Sequence, residues 1–186
     1  MNRLVILASG SGTLTQAIID AHLDADIVAV ISDKRESGVL DRAEQAGIET
    51  FTVPMMHDRA EWDRELETLI AALKPDLIIS AGFMRVLSAK IVNRFKIINS
   101  HPALLPLFPG AHAVRDALAA GATETGTTIH WVDAGIDTGT VIAQERVPIH
   151  PGDSEDTLHE RIKIVERSLI VATITSLLNT LEKNNG

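Results

Sequence analysis

The sequence predicts an α/β fold: an open, mostly parallel twisted sheet with helices on both faces, finished by an antiparallel hairpin and a long helix. Three observations predict it. Short apolar runs and helical patterns alternate from the first residues. The runs are apolar on both faces, as strands buried between helices require. Beyond residue 124 the alternation gives way to two consecutive strand-like segments and one long helical stretch.

Each element follows from its local pattern. Leu4–Ala8 is an apolar run ended by Ser9-Gly10-Ser11-Gly12, and a helix is expected from Leu14 to His22. Ile27–Ile31 is a second β-branched run, and Ser37–Gly47 a second helix closed by glycine. Thr50–Val53 is a third short strand. Arg59–Leu73 is amphipathic, with Trp62, Leu66, Leu69, Ile70 and Leu73 on one face. Pro75 stops it before a fourth strand, Leu77–Ser80. Gly82–Leu87 is a loop preceding a short helix, and Lys96–Asn99 a fifth strand. Thr125–Val132 and Thr140–Val147, joined by the turn-rich DAGIDTG, read as a hairpin. A helix from Ser154 to Leu181 closes the chain, with Ser154, Asp156 and Thr157 suited to its start.

Composition narrows the function. The chain has 186 residues, the size of one domain with a substantial core. A net charge of −8 and only four Phe, two Trp and no Tyr argue against a nucleic-acid partner, which needs a basic face and stacking rings. With no cysteine, thiolate catalysis and cysteine-ligated zinc are excluded. The seven histidines are scattered without ligand spacing, so no metal is expected. The N-terminal apolar run is broken too early for a signal peptide. Glu166 and Arg167 interrupt the apolar stretch Ile162–Leu178, so no membrane partner is expected and the cytoplasm is the expected location.

Ligands of open parallel sheets bind beyond the carboxyl ends of the strands. Three unusual segments fall there: ASGSGT, AGFMRVLS and NSHPALLP. In the first, Gly10, Ser11, Gly12 and Thr13 lead into a helix whose free N–H groups suit an anion. A dinucleotide fingerprint is the rival reading, with Asp33 about twenty residues on, but Thr15 stands where its third glycine belongs. A monophosphate is therefore the preferred ligand. In the third segment, Asn99 and His101 share one side of an extended chain. An amide donor beside an imidazole suits stabilising an oxyanion while moving a proton. DAGIDTG offers Asp133 and Asp137 as carboxylate partners, although turn aspartates often serve only the turn. Pro102 disfavours an α conformation at His101, while Pro106 and Pro109 stiffen the exit.

These segments together resemble the phosphoribosylglycinamide formyltransferase family, folate-dependent enzymes of purine synthesis. The resemblance runs through VILASGSGTLTQAIID, DRELETLIAALKPDLIISAGFMRVLS, INSHPALLPLFPGAHAVRDAL and GTTIHWVDAGIDTGTVIAQERVPIHPGDSEDTLHERI. It implies a Rossmann-like formyltransferase domain over 1–186, with a nucleotide-binding half at 1–100 and a folate-binding half at 101–186. The activity implied is formyl transfer from 10-formyltetrahydrofolate, as co-substrate, to the amine of glycinamide ribonucleotide. The implied catalytic triad is Asn99, His101 and Asp137. The implied ribonucleotide contacts are Gly10, Ser11, Gly12, Thr13, Leu14 and Glu166. The implied folate contacts are Arg59, Met84, Arg85, Val86 and Leu87, with Asn99 and Asp137. Leu14 departs from the asparagine found there in many members, so its side chain cannot supply that contact. The partners expected are these small molecules, with a homodimer left open.

Other readings compete. A relative acting on transfer RNA would need an additional C-terminal domain and a basic surface. A 10-formyltetrahydrofolate hydrolase would carry an N-terminal regulatory domain. Neither is expected here. A nicotinamide-dinucleotide-binding protein would rest on Gly10, Gly12 and Asp33 alone and leave Asn99, His101 and Asp137 without a role.

Overall fold

A computed structural model describes residues 1–185, and for 182–185 the backbone alone. Seven strands form one sheet in the order β3-β2-β1-β4-β5-β6-β7. β1 (Asn2–Leu7), β2 (Ala25–Ser32), β3 (Thr50–Thr52), β4 (Leu77–Ser80) and β5 (Ile97–His101) run parallel. β6 (Glu124–Trp131) and β7 (Val141–Pro148) complete the sheet in antiparallel fashion.

Helices cover both faces. On one, α1 (Thr13–Asp20), α2 (Gly38–Gln45) and α6 (Glu155–Asn185) pack Leu14, Ile18, Val39, Leu40, Ile170 and Ile174 against Leu4, Ile6, Val30, Leu77 and Ile79. On the other, α3 (Arg59–Leu73) and α4 (Ala89–Arg94) pack Trp62, Leu66, Ile70 and Ile91 against Val5, Leu7, Ile31 and Ile78. Strand residues alternate between the two clusters, as the two-residue pleat requires. α6 contains a stretch apolar enough and long enough to span a membrane by composition, but Leu158, Ile162, Ile170, Ile174 and Leu178 are buried in the protein's own core.

α3 begins and ends where the sequence predicts. The Asp58 carboxylate caps it by accepting from the N–H groups of Ala60 and Glu61, and Lys74 adopts a left-handed conformation just before Pro75. Three differences matter. β5 extends beyond Asn99 to His101, because Ser100 and His101 pair with Ile129 and Thr128 of β6. α5 (Ala113–Ala119) is a helix the sequence reading leaves out; its buried face, Ala113, Val114 and Ala117, is too small to give a strong apolar period. α6 starts at Glu155, with Ser154 accepting from the Thr157 N–H just ahead of it.

Candidate active site

The strand order reverses between β1 and β4, and a crevice opens at such a switch point. The loops leaving these strands are tied together: Ser9 N–H donates to the Gly82 carbonyl at 3.1 Å, and Met84 N–H to Ser9 Oγ at 2.9 Å. Gly12 is left-handed (φ 78°) and so close to Val39 that a Cβ would lie 2.7 Å from it. Only glycine fits there. Thr13 begins α1, whereas the Leu14 side chain is buried in the core. Thr15 is also buried, at the place of the missing third glycine.

Asn99 and His101, read from one strand-end segment, and Asp137, which the family resemblance singles out over Asp133, stand together. The pleat sends Asn99 and His101 to one face and Ser100 to the other. His101 Nε2–H donates to the Phe108 carbonyl at 2.8 Å, since a carbonyl can only accept, and Nδ1 faces Asp137 Oδ2 at 3.3 Å. Asp137 Oδ2 also accepts the Gly110 N–H at 2.8 Å. The proline-containing loop therefore touches both His101, through Phe108, and Asp137, through Gly110. Phe108 (φ 52°) and Asp137 (φ 55°) both adopt left-handed backbone conformations. Strain of this kind persists only where surrounding contacts impose it, and it collects at functional sites.

β6 contributes a fourth member that the sequence reading missed. His130 pairs with Asn99 across the β5–β6 ladder. Its Nδ1–H donates to the Trp131 carbonyl at 2.9 Å, which leaves Nε2 3.2 Å from Asn99 Nδ2 and 3.5 Å from Asp137 Oδ1. A neutral ring accepts one Asn99 N–H there and leaves the other free; a protonated ring donates to Asp137. Burial pushes the Asp137 carboxyl up. That is outweighed by the His130 hydrogen bond, the Gly110 N–H and the charges of both rings, so the group lies below the usual carboxylate range.

The buried Thr128 and the neighbouring Gln144 bolt the loop to the hairpin. Thr128 Oγ1 donates to the Ala103 carbonyl at 2.6 Å and accepts from the Leu105 N–H at 3.1 Å. Gln144 Nε2 donates to the Leu105 carbonyl and to Thr128 Oγ1. Strand alternation puts Thr128 and His130 on one face, which was the available signal for both; the register that sets them opposite His101 and Asn99 was not.

Ser100, on the far face of β5, donates to Glu166 Oε1 of α6 at 2.5 Å. Burial pushes the Glu166 carboxyl up, offset in part by the Ser100 bond and by Lys163 and Arg167. The segment Met84–Leu87 lies after β4, with Met84 and Val86 exposed and Leu87 buried. Arg59 stacks its guanidinium 4.9 Å from the Trp62 ring centre and donates to the Val86 carbonyl, which joins α3 to this loop. Arg85 Nε lies 2.6 Å from Asp33 Oδ2, and the Asp33 side chain is fully buried. Asp33 is thus engaged by an arginine and closed to a ribose, which removes the basis of the dinucleotide reading. Asp133 accepts from Gly135 N–H and Thr138 within its own turn, as a turn former does.

Four of the eight exposed large apolar side chains among the described residues, Met84, Val86, Leu107 and Ile136, lie on the loops that carry these groups. An open groove of about 720 Å³ between β3 and α3 involves none of the predicted site residues. Among the described residues no group of three or more His, Asp or Glu side chains is arranged to hold a metal ion.

The family model for formyl transferase matches residues 2–174. Phosphoribosylglycinamide formyltransferase of Mycobacterium tuberculosis is 48% identical over 94% of this chain and 84% of its own. The Escherichia coli protein of the same name is 41% identical over 92% of this chain and 85% of its own. The crystal structure of glycinamide ribonucleotide transformylase 1 from Geobacillus kaustophilus superposes with a TM-score of 0.91 at 39% identity, covering 96% of this chain and 99% of that one.

Proposed function

The chain belongs to the formyl transferase family, and on that premise we propose that it transfers the formyl group of 10-formyltetrahydrofolate to the amine of glycinamide ribonucleotide. The observation that carries this reading is the convergence of Asn99, His101 and Asp137 at the switch-point edge of the sheet. On one side lies a glycine loop opening a helix; on the other lie loops with apolar side chains suited to a flat pterin ring.

The nucleotide phosphate sits at Gly10–Leu14, held by backbone N–H groups, and Glu166 accepts from the ribose hydroxyls. The folate lies along Arg59 and Met84–Leu87. The substrate amine attacks the formyl carbon; a C–N bond forms as the carbonyl electron pair moves onto oxygen. The free N–H of Asn99 donates to that oxyanion. His101 exchanges its bond to the neutral Phe108 carbonyl for one to the oxyanion, keeping the stronger charged contact with Asp137. The intermediate collapses by breaking the bond from carbon to the folate nitrogen. The proton lost by the attacking amine reaches that nitrogen by way of Asp137 and a water. The neutral His130 ring holds the Asn99 amide in register by accepting its other N–H. The reaction is placed in the cytoplasm, where its small-molecule substrates are soluble.

Absorbance at the tetrahydrofolate band tests the proposal. Folate release that requires glycinamide ribonucleotide is expected. Release at the same rate without the amine would contradict it.

A further inference from the structure

The phosphate loop is held from behind by α2, and the peptide geometry decides which way its donors point. The Val39 N–H donates to the Gly10 carbonyl at 3.1 Å. Arg42 Nε donates to the Ser11 carbonyl at 2.8 Å, and its Nη1 lies 3.4 Å from Gln16 Oε1 on α1. Gly38 also lies against this carbonyl: a Cβ on it would approach the Ser11 oxygen to 3.3 Å. In a trans peptide the N–H points opposite to the preceding C=O. Fixing the carbonyls of Gly10 and Ser11 towards α2 therefore turns the N–H groups of Ser11 and Gly12 away from it. Among the described residues neither of these N–H groups has a protein acceptor.

We propose that Arg42 is a positioning residue of the phosphate subsite: by holding the Ser11 carbonyl against α2, it presents the Gly12 N–H, with that of Ser11, to the substrate's phosphate. This rests on the reading of Gly10–Leu14 as the phosphate loop. The Gly10 carbonyl is held by a backbone donor that no side-chain change removes, whereas the Ser11 carbonyl is held by a side chain. Arg42 is therefore the one adjustable part of the clamp. Its loss frees the Ser11–Gly12 peptide to rotate, and a rotated peptide turns an oxygen rather than an N–H towards the anion. The effect depends on the phosphate and spares the reacting amine, whose proposed partners Asn99 and His101 lie on β5.

Steady-state kinetics on the intact protein with two acceptors tests this: glycinamide ribonucleotide, and the same compound without its phosphate. Arg42→Ala is expected to raise KM for the ribonucleotide about tenfold, the equivalent of one charge-assisted hydrogen bond. Its kcat, and its kinetics with the dephosphorylated acceptor, should match wild type. Arg42→Lys, which restores a donor, should recover part of the loss and covers the case in which the alanine variant fails to fold. An unchanged KM, or an equal loss with both acceptors, would overturn the role of Arg42. A wild-type protein that does not distinguish the two acceptors would instead overturn the phosphate-loop reading itself.

Discussion

Replacing Asp137 by asparagine isolates the charge of the carboxylate. The backbone there is left-handed (φ 55°), a conformation asparagine tolerates and alanine does not. The amide oxygen can keep the 2.8 Å bond from the Gly110 N–H, so the fold of the turn is preserved. What is lost is the negative charge between His101 Nδ1 at 3.3 Å and His130 Nε2 at 3.5 Å. A relay that cannot accept a proton forfeits general acid–base assistance, so kcat should fall by roughly 10²–10⁴. Exchanging a charged for a neutral acceptor should cost about 1–2 kcal/mol of stability near neutral pH. The sign of its pH dependence is fixed. The carboxyl lies below its usual range when folded, so its stabilisation is present above the unfolded value of about 4 and lost as pH falls through the lower folded value. Denaturation midpoints of the two proteins should therefore converge in acid. The assay is folate release at pH 7 with saturating substrates, alongside urea unfolding. Near wild-type turnover in a variant folded like the parent would refute the assignment of Asp137 to proton transfer.

Asn99→Ala removes the oxyanion donor and should lower kcat by about 10²–10³ with the ribonucleotide still bound, as read by calorimetry. Glu166→Gln should raise KM for the ribonucleotide yet increase thermal stability near neutral pH. The Glu166 carboxyl is raised by burial, so its ionised form costs stability above the folded value. That gain should fade as pH falls and Glu166 becomes protonated, which a series of melting curves would show. Arg85→Met leaves the Asp33 carboxylate buried without its partner. The loss should be about 3 kcal/mol in urea unfolding, at the low end for a buried pair because the Arg85 side chain is one-third exposed. Adding Asp33→Asn should restore most of it.

Much of the fold was legible because one kind of signal, apolar periodicity with proline and glycine punctuation, dominates it. α3 and β4 fall where that signal puts them, since the apolar stripe from Trp62 to Leu73 is unbroken and Pro75 separates it from the run Leu77–Ser80. α5 escaped because its buried face is alanine and valine. β5 looked shorter than it is because Ser100 and His101 are polar, and only pairing with β6 makes them strand. The site shows the same division. Asn99 and His101 were legible as candidates from their strand-end segment, whereas DAGIDTG left Asp137 level with Asp133 until the family resemblance chose it. His130 was hidden in the apolar run TTIHWV, and its role depends on a register that no local pattern encodes. The Asp33–Arg85 pair joins residues 52 apart. The Arg42 contact with Ser11 spans 31. The first exists because the parallel sheet brings the loops after β2 and β4 together, the second because α2 packs beside the loop after β1.

The measurement that bears most directly on formyl transfer is the fate of the formyl carbon. With isotopically labelled 10-formyltetrahydrofolate and glycinamide ribonucleotide, mass spectrometry should find the label in the ribonucleotide product, in step with tetrahydrofolate release. Label recovered as free formate, with the ribonucleotide unmodified, would contradict transfer and make the protein a hydrolase.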